Sequence, residues 1–361
     1  MSLLVIALSG ADGRVAQHLM DEGRMPHLLA LVEGGASASI NWLRGGSAVA
    51  AWLTVATGQS PAVHGVDANP VCRTDGFGVT LAERAHLRAT PIWERIAAGG
   101  TAVQALGWPA SHGTPVDEGR PGLVVAADTF FYVEGRDATN WPAFPESVSP
   151  RPMTQALSAA RVHPAQLHEP VWRERLGPYG AAVVRAHGQK GLAELARLES
   201  VLAVAQRLET GMARFVFLDI LERLGLPRSQ PELAAILAAY GLLDSALGRL
   251  VALAGGAVDV VVMARPPTPA LMAGSAPQGM AVFRTPGHEA DSLLPALEPL
   301  ALAAGLADMA DATPCPEQRE DGADEHLLAC LADRYPLRCR PLKRDRMAIR
   351  AVRERGLAGG E

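Results

Sequence analysis

The residues best suited to chemistry follow apolar stretches of the sequence. Ser9 comes directly after LLVIAL, Asp219 ends RFVFLD, and Arg265 comes directly after VDVVVMA. Arg223 lies four residues beyond Asp219, and Ser47 occupies the small-residue turn GGSAVA, which is expected to open a helix. A guanidinium donates paired hydrogen bonds to a phosphate, sulfate or carboxylate, and a helix N-terminus offers backbone N–H groups to an anion. These residue types favour the recognition of oxyanions.

The elements that must position these residues alternate between strand and helix patterns. Continuous apolar runs bounded by Gly or Pro predict five buried parallel strands, at 3–8, 101–108, 122–127, 214–219 and 258–264. Helical spacing of apolar residues predicts intervening helices, most clearly at 191–209 and 233–253. This alternation predicts an α/β fold with a doubly wound, mainly parallel sheet. In such folds ligands bind at the carboxyl ends of the strands.

The chain divides into four segments by composition. Residues 1–127 and 191–314 carry the strand and helix patterns and are predicted to form two parts of one α/β core. Residues 128–190 are rich in Pro, His and Trp and are predicted to form an inserted cap region. Residues 315–361 form a polar extension with a basic run. We interpret that run as a solvated tail helix, with an anionic partner or a subunit contact as the alternative.

Composition narrows the class of protein. The chain has 361 residues, of which 48% are hydrophobic, and can bury a large core. Its net charge of −5 argues against a nucleic-acid partner. The four cysteines lack CxxC spacing, which indicates reduced thiols and a cytoplasmic location. The N-terminal apolar run has the length of a strand, and no run approaches the roughly 20 apolar residues of a membrane helix, so neither a signal peptide nor a membrane partner is expected.

Eight segments stand in a characteristic order: VIALSGADG, EGRMPHLLALVEGGAS, AAWLTVATGQSPAVHGV, TPIWERIAAGGTAVQALGWPAS, ESVSPRPMTQAL, FVFLDILERLG, AYGLLDSALGRLV and DVVVMARP. Together they resemble the type I phosphodiesterase/nucleotide pyrophosphatase family of the alkaline phosphatase superfamily, from Leu3 to about Pro314. The resemblance implies the alkaline phosphatase type of fold. It also implies a site in which aspartates and histidines hold two divalent ions, usually zinc, that activate a Thr or Ser nucleophile.

Carried over position by position, the resemblance implies an unusual site. The family's metal ligands and nucleophile fall here on Ser9, Ala48, Asp219, Arg223, Ala264, Arg265 and Ser275. Only Asp219 keeps the chemistry of its position. Zinc binds imidazole, thiolate or carboxylate ligands, whereas arginine has no lone pair to offer. We therefore expect no two-metal site and no metal cofactor.

Five further residues are candidates for a role in the site. Ser47 adjoins the nucleophile position, as a helix N-cap or a displaced nucleophile. Asn69 falls where the family's nucleotide-cleaving members place a phosphate-binding asparagine, although Asn before Pro also marks a turn. His112 lies in a loop beyond a strand and is a candidate general base. Asp12 fits an N-cap, and His64 fits a framework residue better than a catalyst.

Two interpretations of the replaced site stay open. In one, Arg223 and Arg265 clamp a small phosphate, sulfate or carboxylate group. In the other, each arginine pairs with Asp219 and closes the site. Ser47 is grouped with these three residues as a candidate catalytic residue, and the predicted ligand-binding residues are Ser9, Asn69, His112 and Ser275.

The leading hypothesis is a diverged family member without the binuclear centre. It binds an anionic ligand or partner, or it runs a repurposed, metal-independent reaction. One alternative is an active phosphodiesterase or pyrophosphatase with relocated ligands, which would use zinc or manganese with Ser47, Asp12, Asp219 and His112. Another is a non-catalytic subunit of a homo- or hetero-oligomer.

Overall fold

The computed structural model describes eleven segments of the chain, namely residues 3–42, 46–68, 71–72, 79–115, 122–132, 141–167, 169–208, 213–267, 278–287, 292–294 and 296–309. Two predicted ligand-binding residues, Asn69 and Ser275, lie outside the described residues, as does the basic extension 315–361. The roles predicted for these three therefore stay predictions.

The strands begin and end close to where the apolar runs place them. Their bounds are β1 Leu3–Ser9, β2 Ala36–Ile40, β3 Val71–Cys72, β4 Val79–Thr80, β5 Val103–Leu106, β6 Leu123–Ala126, β7 Val148–Ser149, β8 Ala213–Leu218, β9 Asp259–Arg265, β10 Gly279–Arg284 and β11 Ser292–Leu293. Nine of the described strands form one sheet in the order β11-β2-β10-β9-β1-β8-β5-β6-β7. The five predicted strands are β9, β1, β8, β5 and β6, which are neighbours and run parallel. The predicted α/β class with a mainly parallel sheet is confirmed.

The strands that the apolar runs did not predict lie outside this parallel block. Strand β10 pairs antiparallel with both β9 and β2, and β7 pairs antiparallel with β6. The sequence of β2, ASASI, alternates buried and half-buried residues, so it lacks the continuous apolar character of a central strand. Strand β7 is only two residues long, which is too short to give a periodic signal. It falls within the predicted cap region and joins the same sheet as the core.

The helices cover both faces of the sheet. Their bounds are α1 Gly13–Asp21, α2 Pro26–Glu33, α3 Ala48–Thr57, α4 Pro61–His64, α5 Ile92–Ala98, α6 Thr154–Ser158, α7 Glu169–Arg207, α8 Ile220–Leu224, α9 Gln230–Ala254 and α10 Pro299–Met309. Helices α1, α2, α7 and α9 share one hydrophobic core with one face of the sheet. Helices α3, α5 and α10 share a second core with the other face.

Strand β1 shows why the central strands are apolar along their whole length. Leu4, Ile6 and Leu8 belong to the first core, whereas Leu3 and Val5 belong to the second. Successive side chains of a strand point to opposite faces, and here both faces are covered by helices. A continuous apolar run is the expected result, and every residue of β1 is buried.

Two long helices pack side by side on the first face. Helix α7 contains non-helical backbone at Gly177 and Gly188, so it consists of three helical pieces, and the last piece is the helix predicted at 191–209. Helix α9 passes the length and hydropathy test for a membrane span, yet 61% of its most apolar window is buried inside the fold. It packs against α7 and α2, as the core helix of an α/β fold does.

Gly10 follows the carboxyl end of β1 and lies directly against the first turn of α8. Its φ is +81°, and a Cβ atom there would lie 2.8 Å from both Glu222 Cα and Leu221 C. Real Cβ atoms do not approach backbone that closely, so only glycine lets α8 sit directly against this strand end. The close approach fixes the position of every residue that α8 carries.

Two glycine-to-alanine substitutions distinguish the effect of this close contact on stability from the effect of backbone strain. Gly23 has a φ of +72°, and a Cβ atom on it would meet nothing within 4 Å, so Gly23→Ala is the matched control. We expect Gly23→Ala to lower the free energy of unfolding by about 1–2 kcal/mol, the cost of a left-handed non-glycine residue. Gly10→Ala must also displace α8, and we expect a loss of roughly 3 kcal/mol or more. Equal losses in urea unfolding would show that the contact with α8 is loose.

Candidate active site

Three neighbouring strands bring predicted site residues to one edge of the sheet. Ser9 ends β1 and is the register partner of Arg265, which ends β9. On the other side of β1, Leu8 is paired with Leu218, the last residue of β8, and Asp219 follows it. The carboxyl ends of parallel strands are where this class of fold binds ligands. Ser9, Asp219 and Arg265 thus occupy the edge where the sequence predicts the site.

Ser9 is held by two hydrogen bonds in a buried position. Its side chain is surrounded by protein, with only 1% of the residue exposed. The Trp52 indole Nε1 donates to Ser9 Oγ over 3.0 Å, and Ser9 Oγ donates to Glu222 Oε2 over 3.5 Å. Trp52 belongs to an aromatic cluster, with its ring centroid 4.9 Å from that of Trp42 and 5.4 Å from that of Phe217. The indole group of Trp52 therefore packs directly behind the strand end.

Glu222 is a site residue that the sequence analysis missed. It lies on α8, three residues after Asp219 and next to the Arg223 that was singled out. Burial raises the pKa of the Glu222 carboxyl, and the positive charge of Arg265 partly opposes that shift. The negative charge of Asp219 adds to it. Glu222 is thus the carboxyl group that interacts electrostatically with Arg265.

Arg265 is a buried cation with few partners. The residue is 3% exposed, and burial lowers the pKa of its guanidinium, with Glu222 opposing. Its two terminal nitrogens donate to the carbonyl oxygens of Pro266 and Gly46, over 3.3 and 3.4 Å. Its Nε has no hydrogen-bond partner within the described part of the chain. Within the described residues, the hydrogen bonds of this guanidinium are thus two long contacts to backbone carbonyls.

The N-terminus of α3 lies beside Arg265, because Gly46 immediately precedes its N-cap. Ser47 is that N-cap, and its Oγ accepts a hydrogen bond from Ala50 N over 3.0 Å. The first-turn N–H groups of Ala48 and Val49 have no acceptor within the helix. Ser47 thus takes the N-cap role that the sequence analysis weighed against a displaced nucleophile. The same turn places backbone donors next to the guanidinium of Arg265.

Asp219 is bound by an arginine that the sequence did not indicate. Arg197 on α7 donates from Nε and a terminal nitrogen to the two oxygens of Asp219, over 3.0 and 3.2 Å. Its other terminal nitrogen donates to the Asp128 carbonyl over 3.0 Å. A bidentate pair between an arginine and a carboxylate is a strong, oriented contact. Asp219 is thus engaged by Arg197, not by Arg223 or Arg265.

Arg223 also has a partner of its own. Its Nε donates to Glu194 Oε2 over 2.6 Å, and its guanidinium carbon lies 5.2 Å from the ring centroid of Tyr132. Arg197 lies against the same ring, at 4.9 Å. The two arginines therefore share one aromatic ring, while each is neutralised by a different carboxylate.

Asp128 adds an unusual carboxyl group to this cluster. It follows β6 and is 6% exposed, and burial raises its pKa to about 7 although the nearby charge of Arg197 opposes the shift. The Tyr132 hydroxyl donates to Asp128 Oδ2 over 3.4 Å. Oδ1 finds no partner among the residues that the structure describes. Asp128 therefore titrates close to neutral pH.

The remaining candidates have structural partners. His112 Nδ1 lies 2.7 Å from Thr129 Oγ1. Among the described residues, His112 is not hydrogen-bonded to Ser9 or Asp219. His64 is fully buried, with Nε2 3.4 Å from Thr54 Oγ1, as expected for a framework residue. Asp12 caps α1 by accepting from Arg14 N over 2.9 Å, as the sequence analysis favoured. Its own N–H donates to the Tyr240 hydroxyl oxygen.

The side chains that the structure describes at the strand ends do not fit two divalent ions. Across the described segments, no three His, Cys, Asp or Glu side chains form a group that could hold a metal. Ser9 offers a hydroxyl group, Ala264 offers no side-chain donor, and Arg223 and Arg265 bring positive charge. Asp219 is already engaged by Arg197. A dication needs several anionic or imidazole ligands at short range, and these residues do not supply them.

Comparison with known proteins identifies the family. Residues 3–264 match the family described as type I phosphodiesterase/nucleotide pyrophosphatase, and the chain belongs to that family. This confirms the resemblance found in the sequence. No curated protein matches the chain at a significant level.

Solved structures confirm the alkaline phosphatase type of fold. Human ectonucleotide pyrophosphatase/phosphodiesterase 5 superposes with a TM-score of 0.53 at 10% identity, over 88% of this chain and 96% of that one. A 2-O GAG sulfatase superposes with a TM-score of 0.52 at 12% identity, over 88% and 72%. Ps i-CgsB, solved with a neocarrahexaose, gives 0.51 at 14%, over 92% and 76%. At such low identity the likeness concerns the fold alone.

The titration of Asp128 gives a pH dependence with a defined sign. Its pKa is about 7 in the folded protein and is ordinarily 3.8, so between these values the unfolded chain releases a proton that the folded protein retains. The free energy of unfolding therefore falls as pH rises through this window, by at most about 1.4 kcal/mol per pH unit from this group.

Asp128→Asn removes that dependence. The free energy of unfolding of the wild type should fall between pH 4 and pH 8, whereas that of the variant should lack this contribution. The difference between the two should therefore shift in favour of the variant, by a few kcal/mol at most. Urea unfolding at both pH values measures the difference, and Asp67→Asn at an exposed position controls for the change in net charge. A stability difference that is the same at both pH values would contradict the raised pKa.

Proposed function

We propose that this chain is a member of its family that works without the binuclear metal centre and binds a small oxyanion beside Arg265. The ligand is a phosphate, sulfate or carboxylate group, free or carried by a larger molecule or partner. The observation that carries the proposal is the buried guanidinium of Arg265, whose Nε has no acceptor in the described part of the structure. The proposed binding position lies between that guanidinium and the first turn of α3.

Two positive features converge on this position. Arg265 carries a full charge, and a guanidinium matches an oxyanion with two parallel hydrogen bonds. The N–H groups of Ala48 and Val49 point out of the helix end, where the helix dipole also favours negative charge. Gly46, whose carbonyl accepts from Arg265, connects the two features. An oxyanion bound here would replace long contacts to backbone carbonyls with charged hydrogen bonds.

The second arginine of the predicted clamp supports the proposal less well. Arg223 is paired with Glu194, and Asp219 is paired with Arg197, so these four groups already balance one another. Breaking a buried pair such as Arg197–Asp219 typically costs about 3–5 kcal/mol, which a bound anion would have to offset. We therefore assign the anion to Arg265 and regard the other two pairs as its structural surroundings.

Glu222 sets the strength of anion binding. Its carboxylate opposes a bound anion when ionised and does not when protonated, and burial raises its pKa. Binding at Arg265 should therefore tighten as pH falls and Glu222 takes up a proton. This makes Glu222 a regulator of the proposed site, in contact with Ser9 on one side and in the field of Arg265 on the other.

Metal content tests the first half of the proposal. Protein purified without chelators is expected to contain well under one equivalent of zinc or manganese, because the described residues at the strand ends lack a suitable ligand set. Elemental analysis after incubation with zinc and desalting measures it, and unfolding with and without a chelator checks for a stabilising ion. Two tightly retained equivalents would overturn the proposal in favour of a hydrolase with relocated ligands.

Thermal unfolding in sulfate or phosphate tests the second half. At a ligand concentration one hundred times its dissociation constant, binding to the folded state adds about 2.7 kcal/mol of stability and raises Tm. Arg265→Met keeps the side-chain volume but removes the charge, and should abolish the rise. Arg265→Lys keeps a charge without the paired donors and should leave only part of it.

Two further variants locate the anion within the site. Glu222→Gln removes the opposing carboxylate and should tighten sulfate binding by about tenfold, a difference of 1.4 kcal/mol. Arg223→Met removes a cation that is paired elsewhere and should leave the sulfate response unchanged. If Arg223→Met abolished the response and Arg265→Met did not, the assignment to Arg265 would be wrong.

A further inference from the structure

A cavity lies away from the strand ends, on the face of the sheet covered by α7 and α9. Its volume is about 770 Å³, and its walls come from residues 159–162, from Gln166 and Leu167, and from the last turns of α7. Helix α7 leads into the start of β8, and Arg207 lies ten residues beyond Arg197, which contacts Asp219. At 1.5 Å per residue, that separation is about 15 Å along the helix. The cavity is therefore distinct from the site beside Arg265.

The charges on the cavity walls are unbalanced. The described lining residues include three arginines, Arg161, Arg207 and Arg249, against a single carboxylate, Glu199. Arg249 donates to Glu199 over 2.6 Å, and Glu199 is almost wholly buried, so these two charges cancel. Neither Arg161 nor Arg207 has a carboxylate within salt-bridge distance in the described segments. Two of the three lining arginines are therefore without an ion-pair partner among the described residues.

Arg161 is held by several contacts and has no carboxylate partner among the described residues. The residue is 7% exposed, and its guanidinium carbon lies 4.0 Å from the ring centroid of Trp141 and 4.7 Å from that of Phe130. Its terminal nitrogens donate to the carbonyl oxygens of these same two residues, and its buried Nε has no partner among the described residues. Burial lowers its pKa to about 10. Burying a charged guanidinium without a counter-charge lowers the stability of the fold, and a bound anion that pairs with it would offset this cost.

The rest of the lining suits the carbon skeleton of a ligand. Ala160, Leu167 and Ala203 give apolar walls, and Gln166 and Gln206 add exposed amide groups. The volume is within the range of about 300–1,000 Å³ typical of small-molecule sites and is much larger than an inorganic ion needs. We infer that this cavity binds a small organic molecule carrying a dianionic group of the phosphomonoester type, through Arg161 and Arg207. This binding is separate from the oxyanion proposed beside Arg265.

Calorimetry with phenylphosphonate tests this inference, because the probe combines a dianionic group with an apolar body and its carbon–phosphorus bond resists hydrolysis. We expect wild-type protein to bind it, and Arg207→Glu to weaken that binding by about tenfold or more, the loss expected for a charged hydrogen bond. Arg185→Glu makes the same charge change at another exposed position of α7 and should leave the dissociation constant within about twofold. Arg161→Met should weaken binding further, and its thermal unfolding shows whether it remains folded.

The Arg265→Met variant separates the two sites. Phenylphosphonate binding that persists in Arg265→Met and is weakened by Arg207→Glu supports a ligand in this cavity. Binding that is lost in Arg265→Met and unchanged in Arg207→Glu places the probe at the strand ends and overturns the inference. No measurable binding to the wild type, or equal effects of Arg185→Glu and Arg207→Glu, would also overturn it.

Discussion

A buried guanidinium is stabilised by negative charge close by, and this interaction organises the carboxyl edge of the sheet. Arg197 takes both oxygens of Asp219, and Arg223 takes Glu194, while the ring of Tyr132 lies against both cations. Arg265 differs from these two arginines. It interacts electrostatically with the Glu222 carboxyl, but among the described residues it forms no direct ion pair. The site is therefore a set of cations with unequal compensation, and the least compensated one is where an anion gains most.

The sequence predicted the fold well because the central strands carry their own signal. A strand buried on both faces is apolar throughout, so β1 and β9 could be recognised from LLVIAL and VDVVVMA. The sequence of β2 alternates because one face is only half buried, and the two residues of β7 are too few for a pattern. Strands β2 and β7 are defined by the strands that they pair with, so the structure was needed to find them.

The candidate site could be predicted only where a residue follows a recognisable strand. Ser9, Asp219 and Arg265 were found in this way. Their partners were not, because Arg197 reaches Asp219 from another helix, and Glu222 enters the site only because Gly10 admits α8. One of the two interpretations of the sequence paired Arg223 with Asp219, because no local pattern showed that Glu194 would bind Arg223. Pairing between distant elements is a property of the packed fold and leaves no mark in local sequence.

The hydrogen bond from Trp52 to Ser9 has a consequence for how this site could change over time. An aspartate at position 9 would stand beside Glu222 and would need to ionise in a buried space that the indole already fills. Two neighbouring carboxylates without a metal repel each other, so the substitution alone would be unfavourable. A second substitution elsewhere would have to come first or at the same time. The small serine thus lets the Trp52 indole and the Glu222 carboxyl share this strand end, and an aspartate here would need a second substitution to accompany it.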